Sequence, residues 1–213
     1  EFLNMEGVSQ KDLNRFRWGM QTFVKSLTYA KEKPLILKSP PHTGQIGILS
    51  EMFPGAKFIH IVRDPRALFP STKRTWQSLD NSQTFQKPHH RDLDEYILRS
   101  LVMMYDGFES QRNDIDVNQI CDVRYEDLVK DPMGQMRRIY RELDLGDFEN
   151  IRPAVEEYLE KQRDYRVNRH TLDPEIEKAI AVRWANYCAQ YGYQQPLVSS
   201  MANASAEDGK ENP

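Results

Sequence analysis

The chain has 213 residues, enough for one domain with a real core. Hydrophobic residues make up 39% and charged residues 29%, with a net charge of -3. This balance excludes a broad nucleic-acid footprint, which needs a clustered basic excess, but leaves room for a small anionic ligand held by a few local cations. No apolar run approaches the ~20 residues of a membrane span. The start, Glu1-Phe2-Leu3-Asn4, has neither the basic region nor the apolar stretch of a signal peptide. The two cysteines, Cys121 and Cys188, form no CxxC pair and read as buried free thiols of a reducing compartment. A cytoplasmic location is therefore expected, with no disulfide framework and no metal site.

In chain order, residues 10–30 carry Phe16, Met20, Phe23, Val24 and Leu27 at helical spacing. Residues 34–38 form an apolar run after a proline and predict a buried strand. Ser39-Pro40-Pro41-His42 cannot continue a ladder, because proline removes donors. A helix with Ile46, Leu49 and Met52 on one face should follow, then a turn at Phe53-Pro54-Gly55-Ala56. Residues 57–62 predict a second buried strand. Asp64-Pro65 reads as a helix start, a capping carboxylate followed by proline at the first helical position. That helix should run to about Leu79.

Residues 80–91 read as a loop and 92–112 as a long amphipathic helix. Residues 120–125 predict a third strand, and Asp131-Pro132 opens another helix. Helices are expected over 149–163 and 174–191, with an irregular basic stretch over 164–173. His60 alternates within a strand and reads as a satisfied core residue. His89 and His90 lack partners at metal spacing, and the Trp and Met residues read as core. Residues 197–213 are rich in Ser, Ala, Asn and Glu and predict a disordered tail.

Strands separated by helices imply an α/β fold with a mostly parallel sheet, whose ligands sit beyond the carboxyl ends of the strands. Four groups become candidates. Arg63-Asp64-Pro65-Arg66, followed by Ser71, offers a guanidinium, a helix start with free N–H groups and a hydroxyl, which together suit a phosphate. The bland alternative pairs Arg63 with Asp64 or another carboxylate. Lys38 and His42 sit on a proline-stiffened loop, where an imidazole can accept a proton and an ammonium can offset developing charge. Tyr125 could stack on a base, or be half-buried core beside the acidic first turn Glu126-Asp127. Arg163, Arg166, Arg169 and His170 could close over an anion, or form a solvated loop.

Taken in order, Leu35-Ile-Leu-Lys38-Ser-Pro-Pro-His42, Phe53 through Ser71, and Val123-Arg-Tyr-Glu-Asp-Leu-Val-Lys-Asp-Pro132 resemble the sulfotransferase family. The likeness is to its bacterial members, in the broad group that includes the tyrosylprotein enzymes. It covers about residues 1–195 and implies a P-loop NTPase-like parallel sheet flanked by helices. It implies transfer of a sulfuryl group from 3′-phosphoadenosine 5′-phosphosulfate to a hydroxyl or amine, with a small-molecule or saccharide acceptor and no metal, and leaves a homo-oligomer open. By the same resemblance Arg63 and Ser71 hold the 3′-phosphate. Tyr125, Arg169 and His170 contribute to the nucleotide site, and Lys38 and His42 lie near the transferred group, His42 as the base.

The family's Gly/Ser/Thr-rich 5′-phosphosulfate loop, which follows the first strand, has no counterpart before Lys38; Gly7-Val8-Ser9 is no substitute. The N-terminal strand and its loop are thus expected to be missing. Residues 1–196 are then the later portion of the family domain, with little catalysis expected of the 213 residues alone. The competing expectation is a non-catalytic paralogue that kept the fold as a binding or scaffold protein. A nucleotide kinase ranks last, for want of a GxxxxGK[ST] loop.

Overall fold

The computed structural model describes residues 2–86, 88–163 and 171–194. Its elements are α1 (Gln10–Ala30), a 3-10 turn (Pro40–Gln45), α2 (Ile46–Met52), β1 (Phe58–Val62), α3 (Pro65–Gln83), α4 (Leu93–Gln111), β2 (Ile120–Arg124), α5 (Tyr125–Lys130), α6 (Pro132–Glu142), α7 (Arg152–Lys161), α8 (Pro174–Arg183) and α9 (Ala185–Tyr191). The architecture is mixed α/β but mostly helical. Among the described residues the sheet has two strands, β1 and β2, parallel and in register from Phe58↔Ile120 to Val62↔Arg124.

Four helix starts follow the sequence closely because they are written in capping chemistry. Ser9 caps α1 by accepting from the Asp12 N–H; Asp64, Asp131 and Asp173 cap α3, α6 and α8, each with proline next. α3 runs four residues past its expected end, into the segment read as a loop. Residues 174–191 form two helices rather than one, broken at Trp184, which is the last residue after α8 and the first before α9.

The sheet separates two packing layers. Paired residues of a parallel ladder point to the same side. His60 and Val62 of β1 face α4, α8 and α9. There Val62, Phe69, Leu98, Leu101, Ile180, Trp184, Tyr187 and Cys188 form the main cluster. Cys121 and Val123 of β2 face the other way and pack on Ile139 and Leu143 of α6. Both cysteines are buried free thiols. The 3-10 turn lies across α4 so closely that a Cβ on Gly44 would stand 3.1 Å from the Met104 Cα.

Several expectations fail, and they fail together. Residues 34–38 are not a strand: Leu35, Ile36 and Leu37 are 38%, 94% and 39% exposed. A strand exists only as a member of a ladder, and among the described residues no ladder takes in residues 34–38. β1 is buried on one face only, since Ile59 and Ile61 are 46% and 51% exposed on the side that α6 covers for β2 alone. α1 buries none of its apolar stripe. Trp18 and Trp76 are exposed rather than core; only Trp184 of the three tryptophans is enclosed. The expected tail, 197–213, lies outside the described residues.

Candidate functional site

β1 ends at Val62 and α3 begins at Pro65, so Arg63 and Asp64 form a two-residue turn at the carboxyl end of the strand. The Asp64 carboxylate accepts from the Arg66 N–H at 2.8 Å and from the Arg66 guanidinium at 3.2 and 2.9 Å. Burial would raise the Asp64 carboxyl, but these bonds outweigh it and hold the group below its ordinary value. Asp64 is therefore engaged by Arg66, not by Arg63. Among the described residues no carboxylate pairs with Arg63; its Nε is buried without a hydrogen-bond partner, and its guanidinium lies over the Tyr125 ring, 4.4 Å from the centroid. Most part-buried arginines here are treated differently: Arg112 pairs with Asp122, Arg138 with Glu142 and Arg183 with Glu95. Leaving a guanidinium half-buried and unpaired is costly, and an anionic ligand removes that cost.

The helix start itself offers less than expected. The Arg66 N–H bonds to the Asp64 side chain, and the Ala67 and Leu68 N–H groups bond to the Asp64 carbonyl. Pro65 has no N–H. The free N–H groups anticipated there are occupied, because the aspartate that starts the helix also consumes its first donors. An anion at this point would be held by side chains and by the helix dipole. Ser71 lies seven residues after Asp64, two turns along the same face of α3.

Sequence reasoning missed the residues that fasten this turn. The Tyr187 hydroxyl accepts from the Arg63 N–H at 2.9 Å and donates to the Arg63 carbonyl at 2.8 Å. Burial pushes that hydroxyl up to about 12, so it keeps its proton at neutral pH. Glu126 accepts from the Asp64 N–H at 2.9 Å through one carboxylate oxygen and from the Tyr193 hydroxyl at 2.9 Å through the other. Arg124 stacks on the Tyr193 ring at 4.5 Å, its Nε also buried without a partner. Arg124 and Glu126 lie in the Val123–Pro132 block, but nothing local gives them this role; the partners are more than 60 residues apart, so only the fold reveals it.

Beneath the turn, His60 is buried. Its Nδ1–H donates to Asp122 at 2.7 Å, and its Nε2 stands 3.1 Å from the Tyr105 hydroxyl. Arg112 donates to the other Asp122 oxygen at 2.7 Å. Burial would raise the Asp122 carboxyl, but the bonds from His60 and Arg112 hold it below its ordinary 3.8. A carboxyl depressed on folding contributes stability above its unfolded value and loses it as pH falls through its folded value. Asp122→Asn should therefore be less stable than the parent at pH 7. Its urea midpoint should also fall less steeply between pH 5 and 3; parallel pH curves would show that Asp122 carries no linkage.

The other predicted residues are placed apart. Lys38 is exposed in the irregular segment before the 3-10 turn, and His42 lies within that turn, half-buried. Neither is joined to Arg63 by a hydrogen bond or ring contact among the described residues. Burial holds the His42 imidazole below its ordinary value, so it is neutral at pH 7 and able to accept a proton. Arg166, Arg169 and His170 lie outside the described residues; Arg163 pairs with Glu160 on the surface. His90 stands 3.1 Å from Asp80, and no metal-binding cluster occurs among the described residues.

Residues 6–150 match the Sulfotransferase family. Over 195 residues, 92% of its length, the chain is 36% identical to the omega-hydroxy-beta-dihydromenaquinone-9 sulfotransferases of Mycobacterium bovis and Mycobacterium tuberculosis. The chain spans about half the length of these curated relatives, 50% of each. The match takes in all three sequence blocks, two of which meet at the carboxyl ends of β1 and β2, and the chain belongs to the sulfotransferase family.

Proposed function

We propose that this chain is the 3′-phosphate-binding portion of a sulfotransferase domain that includes residues 1–196, on a P-loop-like sheet. Its reaction transfers a sulfuryl group from 3′-phosphoadenosine 5′-phosphosulfate. An acceptor oxygen or nitrogen attacks sulfur, the bond from sulfur to the 5′-phosphate oxygen breaks, and adenosine 3′,5′-bisphosphate leaves. The single observation that carries this reading is Arg63, a part-buried guanidinium at the end of a parallel strand, held over Tyr125 and with no carboxylate partner among the described residues.

In this reading Arg63 and Ser71 hold the 3′-phosphate, and Tyr125 borders the base. By the family resemblance Arg169 and His170 also contribute to the nucleotide site. His42, neutral through burial, takes the acceptor proton, and Lys38 offsets charge on the transferred group. The relatives' names point to a hydroxylated acceptor. An open cavity of about 620 Å³ between α3 and α4, with Trp76, Tyr96, Arg91 and Arg99 in its lining, is the place for it.

Calorimetric titration of the protein with adenosine 3′,5′-bisphosphate and with adenosine 5′-monophosphate tests this. The bisphosphate should bind at least about tenfold more tightly, the worth of one charge-assisted phosphate contact. Equal affinities, or no binding of either, would sink the assignment.

A further inference from the structure

If Arg63 is to hold a phosphate with no main-chain N–H to help it, the direction of its side chain decides the affinity. That direction is set by the main chain of Arg63 and Asp64, which neither regular element controls. β1 stops at Val62, and α3 starts at Pro65. Groups in such a gap must find partners elsewhere. We propose that Tyr187 and Glu126 are positioning residues that clamp the Arg63–Asp64 turn and so aim Arg63 at a phosphate monoester. This rests on the sulfotransferase reading above and adds two residues to it.

The Arg63 N–H and C=O both go to one atom, the Tyr187 hydroxyl. The Asp64 N–H goes to Glu126, and the Asp64 C=O receives the Ala67 and Leu68 N–H groups. Every polar main-chain group from the Arg63 N–H to the Asp64 carbonyl thus has a partner, and the partners before α3 come from α5 and α9.

The clamp is itself held firmly. The Tyr187 ring is buried and stacks parallel to Tyr193, with centroids 5.9 Å apart and planes at 8°. It meets Tyr105 edge-on at 4.6 Å and Tyr191 at 5.1 Å. Three aromatic neighbours fix where its hydroxyl stands. Glu126 is tethered from the same side, since Tyr193 donates to its second oxygen. The last helix and the turn after it thereby reach a residue 124 positions earlier in the chain. Neither Tyr187 nor Glu126 needs to touch the nucleotide. Each acts through the turn that carries Arg63, and a side chain misaimed by about an ångström loses most of a phosphate hydrogen bond.

The test is the preference for adenosine 3′,5′-bisphosphate over adenosine 5′-monophosphate, measured by calorimetry on folded variants. A merely structural role would change both affinities alike and leave the ratio in place. In Tyr187→Phe, which keeps the ring and its packing, the ratio should fall about three- to tenfold, the worth of one well-aimed hydrogen bond. Glu126→Ala should lower it similarly. Glu126→Gln should restore it, because the amide oxygen still accepts the Asp64 N–H. An unchanged ratio in both Tyr187→Phe and Glu126→Ala, while Arg63→Ala abolishes the preference, overturns the clamp and leaves the family reading intact. A parent protein without the preference removes both. Should Tyr187→Phe fail to fold, the Glu126→Ala and Glu126→Gln pair decides alone.

Discussion

Arg63→Ala should lower the affinity for adenosine 3′,5′-bisphosphate by about 10- to 100-fold, since hydrogen bonds to charged groups are worth about 1.5–3 kcal/mol. The affinity for adenosine 5′-monophosphate should change little. The asymmetry follows from how the two neighbouring arginines are used. Arg66 is spent on Asp64, through both Nε and Nη2. Arg63 has its guanidinium over an aromatic face and, among the described residues, no carboxylate. An arginine stacked on a tyrosine is directed without being neutralised, which leaves its donors for a ligand.

Arg66→Ala is the informative control. It breaks the Asp64 pair, which is part-exposed, yet leaves Arg63 and its Tyr187 bonds in place; its effect on bisphosphate affinity should stay within about threefold, as for an exposed pair worth under ~1 kcal/mol. If Arg66→Ala weakens binding as much as Arg63→Ala does, the phosphate is not held by Arg63 in particular. Loss of the Arg63 side chain should leave thermal stability nearly unchanged, because it forfeits only one cation–π contact of about 0.5–1 kcal/mol.

What the sequence made legible was local chemistry. Asp64-Pro65, Asp131-Pro132 and Asp173-Pro174 each place a helix start to the residue, because capping is decided within a few positions. The β1 and β2 runs were legible because β-branched residues and a following Arg-Asp or Tyr-Glu mark where each strand stops. Residues 34–37 carry the same apolar signature and are not a strand, since pairing depends on a neighbour that composition does not encode. The α1 stripe is helical as expected, but periodicity reports only that a face is apolar, not that something covers it.

The site divides the same way. Arg63 and Tyr125 stand out in the sequence, each directly after a strand. Tyr187 and Tyr193 do not, and Glu126 reads only as part of the acidic first turn of a helix, because their bonds reach residues 62 to 124 positions away. The free N–H groups expected at the start of α3 were misread for a related reason. Asp-Pro marks a helix start and, in the same stroke, supplies the acceptor that occupies it.

Trp184→Ala should destabilise the protein by about 3–5 kcal/mol, the range for truncating a buried aromatic residue without refilling its space. Trp184 is 1% exposed and sits where α8 gives way to α9, in the cluster that joins both helices to β1 and α4. Its ring packs against Phe69 of α3, with centroids 6.0 Å apart, and its indole N–H donates to the Leu98 carbonyl at 3.0 Å. One side chain therefore ties α3, α4 and the α8–α9 junction together. Urea unfolding should report the loss as a lower midpoint with little change in slope.

Trp184→Phe separates packing from the hydrogen bond. It keeps most of the apolar volume and gives up the N–H, so it should cost about 1–2 kcal/mol, and no more, because the Leu98 carbonyl lies within α4 and retains its helical environment. Cost should also appear at a distance. Tyr187 lies in α9, three residues after Trp184, and its hydroxyl reaches Arg63 only while that helix keeps its seat. Trp184→Phe should then weaken bisphosphate binding more than monophosphate binding, in proportion to how far α9 shifts. A variant that loses stability but keeps the full preference for the bisphosphate would mean that α9 is seated by its own aromatic contacts with Tyr105 and Tyr193, and that Trp184 serves the core alone.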